Sequence, residues 1–139
     1  MIHPFSNFPV TYKYGVPDKT YKRTGHHIGT DYGCPIGTPI PAPILGEITV
    51  AGYSKMLGNY CHYRYNIEDK IYTTRFLHLK RVPIRGKYTE GSILGYTGNT
   101  GLSTGPHCHV DVWHDNVRTD IANQNNWQTL TEDPELHFN

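Results

Sequence analysis

In the last third of the chain, residues Ser103–Trp113 read STGPHCHVDVW, with His107 and His109 on either side of Cys108. Side chains of an extended segment alternate between its two faces, so His107, His109, Asp111 and Trp113 share one face and Cys108, Val110 and Val112 the other. The second set is small and apolar and is expected to face a core, leaving the imidazoles toward an open groove. Cys108 is then a packed thiol rather than a ligand, because free cysteine behaves as a small hydrophobe. An earlier segment, GHHIGTDYG, places His27, Gly29 and Asp31 on one face. Gly29 has no side chain, so an imidazole and a carboxylate can converge across it. With one further histidine they offer two nitrogens and one oxygen and leave a fourth tetrahedral position open, the donor set of a catalytic zinc. Such an ion acidifies a bound water and polarises a carbonyl.

The elements that must position these groups are strands. At 139 residues the chain is long enough for one domain with a real core. Its fourteen glycines, ten prolines and eleven tyrosines, with few helix-favouring runs, point to a turn-rich β protein. Thirteen lysines and arginines against twelve acids leave the chain near neutrality, which argues against nucleic-acid binding or polybasic membrane binding. No apolar run is long enough to span a bilayer. Three cysteines, Cys34, Cys61 and Cys108, lack CxxC spacing and argue against a disulfide framework. Residues 37–52 predict an extended entry, a turn and a strand. NYCHYRYNI and KIYTTRFLHL flank a polar turn at Glu68 and Asp69 and predict an antiparallel hairpin. A short strand is expected at Ser92–Tyr96 and another across HCHVDVW. The one helical candidate is the polar stretch Asp120–Leu130, whose apolar periodicity is poor. The expected fold is a single, mostly antiparallel β domain over residues 1–139, with 1–24 as an irregular lead-in and 114–139 as a C-terminal extension.

The ordered segments HIGTDYGCPIGTPIPAPILGEI, RFLHL and GYTGNTGLSTGPHCHVDVW resemble the lysostaphin/LytM-type zinc endopeptidases over about residues 25–113. The Gly-Thr-Pro and Gly-Pro turns carry the likeness beyond the candidate ligands. The resemblance implies a LytM-like β domain (a duplicated hybrid motif) with a central substrate groove and one Zn2+ per chain. It also implies hydrolysis of the peptide stems or cross-bridges of bacterial peptidoglycan. By the same resemblance His27, Asp31 and His109 are the metal ligands, and His78 and His107 are the catalytic pair. His26 is one residue out of register and is read as a bystander. Where relatives often carry glutamate, this chain has the shorter Asp111. It is either a carboxylate that orients a ligand histidine or a solvated strand residue. His62, on a strand face with Tyr60 and Arg64, is expected at the hairpin surface, as are His3, His114 and His137 elsewhere. Tyr53, Tyr60 and Tyr96 are candidates to line the groove, although aromatic side chains on strands are ordinarily packing.

Two other function classes share this architecture. A non-catalytic LytM-like binding or regulatory module typically loses ligands, whereas this chain keeps all three and both catalytic histidines. A histidine phosphocarrier of similar β fold has no need of the His27–Asp31 pair. The amino-terminal MIHPFSNFPV lacks the charged start and apolar core of a secretory signal. The expectation is therefore a monomer made in a host cytoplasm and acting on the cell wall, as a phage lysin or virion-associated lytic enzyme. A fragment of an exported or tail protein is the alternative. The expected partner is a peptidoglycan peptide, with no nucleic acid and no membrane insertion.

Overall fold

The computed structural model describes residues Met1 to Asn139. Its strands are β1 (Val10–Tyr12), β2 (Thr30–Tyr32), β3 (Pro39–Pro41), β4 (Gly46–Ser54), β5 (Gly58–Ile67), β6 (Lys70–Leu79), β7 (Gly86–Tyr88), β8 (Ile93–Tyr96), β9 (Cys108–His114) and β10 (Thr131–Glu132). Two short helices follow β9: α1 (Trp127–Leu130) and α2 (Pro134–Phe138). The main sheet runs β1-β2-β9-β6-β5-β4-β7, with β10 added beside β9, and β3 pairs β8 in a separate two-stranded sheet. Every pairing is antiparallel. The mostly antiparallel β expectation therefore holds. No helix is long and apolar enough to cross a membrane.

The anticipated hairpin is β5–β6, closed by Glu68 and Asp69 between the paired Ile67 and Lys70. Both turn residues have positive φ, 49° and 67°. That is the pattern of a two-residue turn whose twist matches that of the flanking strands. Alternate residues of β5, namely Cys61, Tyr63 and Tyr65, enter the core with Phe76, Cys108, Val110 and Val112. All three cysteines are buried and free.

On β9 the alternation behaves differently from expectation. Cys108, Val110 and Val112 do face the core, but the opposite face is not an open groove along its length. Asp111 and Trp113 are both 0% exposed. Leu77, Ala122 and Trp127 are also buried outside the main core cluster. Asp111 is thus not a solvated strand residue.

Further expectations are corrected. The Asp120–Leu130 tract supplies only the single turn α1, because its polar sequence has no apolar stripe to bury. The second helix, α2, was not anticipated; Asp133 caps it by accepting from the Glu135 amide at 2.9 Å, with Pro134 in the first turn. The segment folds back on the sheet, which changes the roles of two histidines expected at the surface. His3 meets Glu135 at 2.8 Å. His137 lies between Glu132 and the Tyr65 hydroxyl, the latter at 2.8 Å. His114 remains exposed and pairs with Glu132. His62 is half-buried beside Tyr60 rather than on the hairpin surface. Burial, with the nearby Arg75 charge, pushes its pKa down to about 4.

Candidate metal centre

The centre is built where β2 meets β9. Asp31 and His109 are direct cross-strand partners, so their side chains leave the sheet on the same face, close together. His27 arrives from the turn before β2 and is held there by backbone hydrogen bonds. Its amide donates to the Val16 carbonyl at 2.9 Å, and its carbonyl accepts from the Gly15 amide at 2.6 Å. Gly29 lies between the two motif residues, and the absence of its side chain is a packing requirement. A Cβ there would sit 2.5 Å from the Val110 carbonyl oxygen and 2.6 Å from the His109 ring. Gly29→Ala should therefore displace His109. Overpacking of this kind costs about 1–3 kcal/mol, and displacing a ligand lowers metal affinity as well. A thermal melt and a chelator-competition titration should both register the change.

The donor atoms form a nearly regular triangle. His27 Nε2 is 3.2 Å from His109 Nδ1, His109 Nδ1 is 3.0 Å from Asp31 Oδ1, and His27 Nε2 is 3.4 Å from Asp31 Oδ1. A tetrahedral ion with bonds of roughly 2.0–2.1 Å has donor–donor edges of roughly 3.3 Å, so the residues fit such an ion. The outer ring nitrogens are also committed. His27 Nδ1–H donates to the Lys13 carbonyl at 3.1 Å, and His109 Nε2–H donates to Asp111 Oδ2 at 2.9 Å. A carbonyl or carboxylate can only accept, so each imidazole directs its other nitrogen inward as a candidate ligand atom.

The local charge favours a cation. Burial disfavours charge on His109, but Asp111 and Asp31 outweigh it and raise the imidazole pKa to about 9. Burial likewise pushes the Asp31 carboxyl up, while His109 and His27 bring it well below the usual carboxylate range.

Two more imidazoles stand beside this triangle. Leu77 pairs with His109 across β6 and β9, so His78 is one residue beyond the cluster. The β5–β6 register slips between Asn59 and Cys61, and His78 adopts a positive φ of 61° with its amide donating to the Leu57 carbonyl at 2.9 Å. A slip and a left-handed residue re-aim a strand side chain. Its Nδ1–H donates to the Thr100 carbonyl at 2.8 Å, which leaves Nε2 as a base. Burial lowers the His78 pKa, partly opposed by the Thr100 carbonyl and assisted by the charges of His107 and His109. His107 stands at the Gly98 bridge and donates Nδ1–H to the Gly105 carbonyl at 2.8 Å. Its Nε2 is 3.8 Å from Asp31 Oδ2, and its ring centre is 4.9 Å from that of His78.

The five residues His27, Asp31, His78, His107 and His109 are therefore one constellation. Tyr60 and Tyr96 are not part of it. Tyr60 packs on His62, with ring centres 5.7 Å apart. Tyr96 is exposed on β8, and its carbonyl accepts from the Lys80 amide. His26 stacks on Trp127 at 4.9 Å, away from the ligand triangle. Sequence inspection missed Tyr12, whose ring stacks on His27 at 4.3 Å, and the backbone acceptors at Lys13 and Thr100, which carry no side-chain signal. It also missed Arg75, although an arginine inside a strand of apolar and hydroxyl residues was a visible one.

The family model for peptidase family M23 matches residues 25–121, which contain all five constellation residues. The chain is 38% identical over 112 residues to peptidoglycan DD-endopeptidase ShyC of Vibrio cholerae, covering 74% of this chain and 25% of that protein. Among solved structures it resembles the catalytic domain of the antimicrobial peptidase lysostaphin from Staphylococcus simulans. That match has a TM-score of 0.75 at 26% identity and covers 96% of this chain and 94% of that one. A mutant catalytic domain of the prophage-encoded M23 protein EnpA from Enterococcus faecalis matches with a TM-score of 0.66 at 26% identity, over 94% and 91% of the two chains. The chain spans about a quarter to a third of the length of the curated relatives it matches first (34%, 25% and 27%).

Proposed function

This chain belongs to peptidase family M23, and from that premise we propose that it is a zinc-dependent endopeptidase acting on peptide stems or cross-bridges of bacterial peptidoglycan. The observation that carries the proposal is the triangle of His27 Nε2, Asp31 Oδ1 and His109 Nδ1 with two further imidazoles, His78 and His107, presented at its edge. When bound there, zinc supplies a Lewis acid that polarises a scissile carbonyl and acidifies a water. ShyC and lysostaphin, named as a peptidoglycan endopeptidase and an antimicrobial peptidase, support the substrate class.

Amide hydrolysis also needs a proton acceptor for the attacking water, a donor at the developing oxyanion and a proton for the departing amine. The free Nε2 atoms of His78 and His107 meet those needs. Each ring is held by its Nδ1–H on a backbone carbonyl, so each Nε2 can take up or give a proton without the ring turning. Asp31 offers Oδ1 to the triangle and Oδ2 toward His107. The likeness to prophage-encoded EnpA supports a phage lytic role, as a lysin or virion-associated enzyme.

The test uses purified peptidoglycan sacculi. The protein should release soluble fragments, stop on treatment with a chelator, and recover on addition of zinc. Release that continues unchanged after complete removal of metal would sink the proposal.

A further inference from the structure

The least expected feature of the centre is the charge buried behind it. Asp111 is 0% exposed and accepts from four donors. Oδ1 takes Arg75 Nε–H at 2.9 Å and Trp113 Nε1–H at 2.7 Å; Oδ2 takes Arg75 Nη2–H at 2.7 Å and His109 Nε2–H at 2.9 Å. Arg75 is itself 8% exposed, lies directly opposite Asp111 across β6 and β9, and stands over the Trp113 ring at 5.9 Å. It thus engages one carboxylate with two parallel N–H donors and spends no contact on the ligand triangle.

A lone carboxylate in such a place would be costly, and a fork-shaped guanidinium is the side chain best fitted to hold it ionised and fixed in plane. With Arg75 in position, the orientation of Asp111 is determined, and Oδ2 meets the Nε2–H of His109. That contact fixes both the tautomer and the rotation of the His109 ring. Nδ1 is then directed at His27 and Asp31. The shorter side chain of Asp111, compared with glutamate, suffices here: it stands two residues from His109 on the same face of β9, and its Oδ2 reaches His109 Nε2 at 2.9 Å.

We propose that Arg75 is a positioning residue for the metal centre, acting through Asp111 to set the direction of His109 Nδ1. The inference rests on the assignment of His27, Asp31 and His109 as zinc ligands. Outer partners of ligand histidines typically contribute 10–100-fold in metal affinity. Arg75 lies one step further out but works through the same bond.

The experiment measures the Zn2+ dissociation constant of the folded full chain by competition with a chromophoric chelator. It is done for the wild type, Arg75→Lys, Arg75→Met, Asp111→Asn and the Arg75→Met/Asp111→Asn double variant, with a thermal melt for each. The visible spectrum of the Co2+-loaded proteins serves as a second readout. Arg75→Met and Asp111→Asn should each weaken Zn2+ binding by about 10–100-fold and alter the Co2+ spectrum. Arg75→Lys, with a point charge but no fork, should recover part of the loss. The double variant should be no weaker than the worse single variant, because both act along one path. Lowered melting temperature with unchanged Zn2+ affinity and Co2+ spectrum in the folded variants would make Arg75 a structural residue only and overturn the inference. Additive losses in the double variant would also overturn it, since Arg75 would then act by another route. Should Arg75→Met fail to fold, Arg75→Lys and Asp111→Asn carry the same comparison. Failure of the wild type to bind Zn2+ would instead strike the ligand assignment itself.

Discussion

His109→Ala is expected to abolish zinc binding and peptidoglycan hydrolysis together. The substitution removes one corner of the donor triangle and leaves His27 Nε2 and Asp31 Oδ1, too few protein ligands for a catalytic zinc site, which uses three. It also strips Asp111 Oδ2 of one of its donors inside a fully buried pocket. Arg75 still donates to that oxygen, but losing one hydrogen bond to a charged group costs about 1.5–3 kcal/mol, so the melting temperature should fall as well. Metal content by elemental analysis should drop from one equivalent to none, with fragment release at background. His26→Ala is the matched control. That ring stacks on Trp127 and contributes no atom to the triangle, so metal content and turnover should be retained.

His78 should divide the two properties that His109 joins. Its side chain is adjacent to the triangle but supplies none of the three donor atoms. His78→Ala should therefore keep one equivalent of zinc while kcat falls by about 10²–10⁴-fold, the usual contribution of a positioned general acid or base. Folding is a competing explanation, because His78 sits at φ 61° and holds the Thr100 carbonyl. His78→Gly resolves it. Glycine accepts a positive φ freely, so this variant removes the imidazole while easing the backbone. Turnover lost without a matching loss of melting temperature would assign the effect to chemistry. Full rate in either variant would remove His78 from the mechanism.

What could be foreseen from the sequence follows from the range of the interactions involved. The β5–β6 hairpin rests on neighbours close in sequence and a turn between them, and it was visible. The separation of His107 and His109 from Cys108 and Val110 needed only the two-residue period of a strand. Gly29 announced the close approach of His27 and Asp31, although not that the His109 ring fills the space above it. The surroundings of Asp111 were not legible, because they depend on Arg75 from another strand and on the local burial. Likewise, His3 and His137 became internal only because Glu132 and Glu135 return to them on the folded C-terminal segment. That segment has neither strand alternation nor a helical stripe. Its placement is decided by tertiary contacts that no short window of sequence contains.

The central claim is that this constellation hydrolyses a peptide bond by a metal-dependent route. Mass spectrometry of the fragments released from purified cell walls, with and without chelator, tests it most directly. The expected products are fragments with a newly freed amine and a newly freed carboxylate within the stem or cross-bridge, with intact glycan linkages, and none of them once zinc is removed. New glycan ends with intact peptides would contradict it, as would phosphorylation of His78 or His107 with no peptide cleaved.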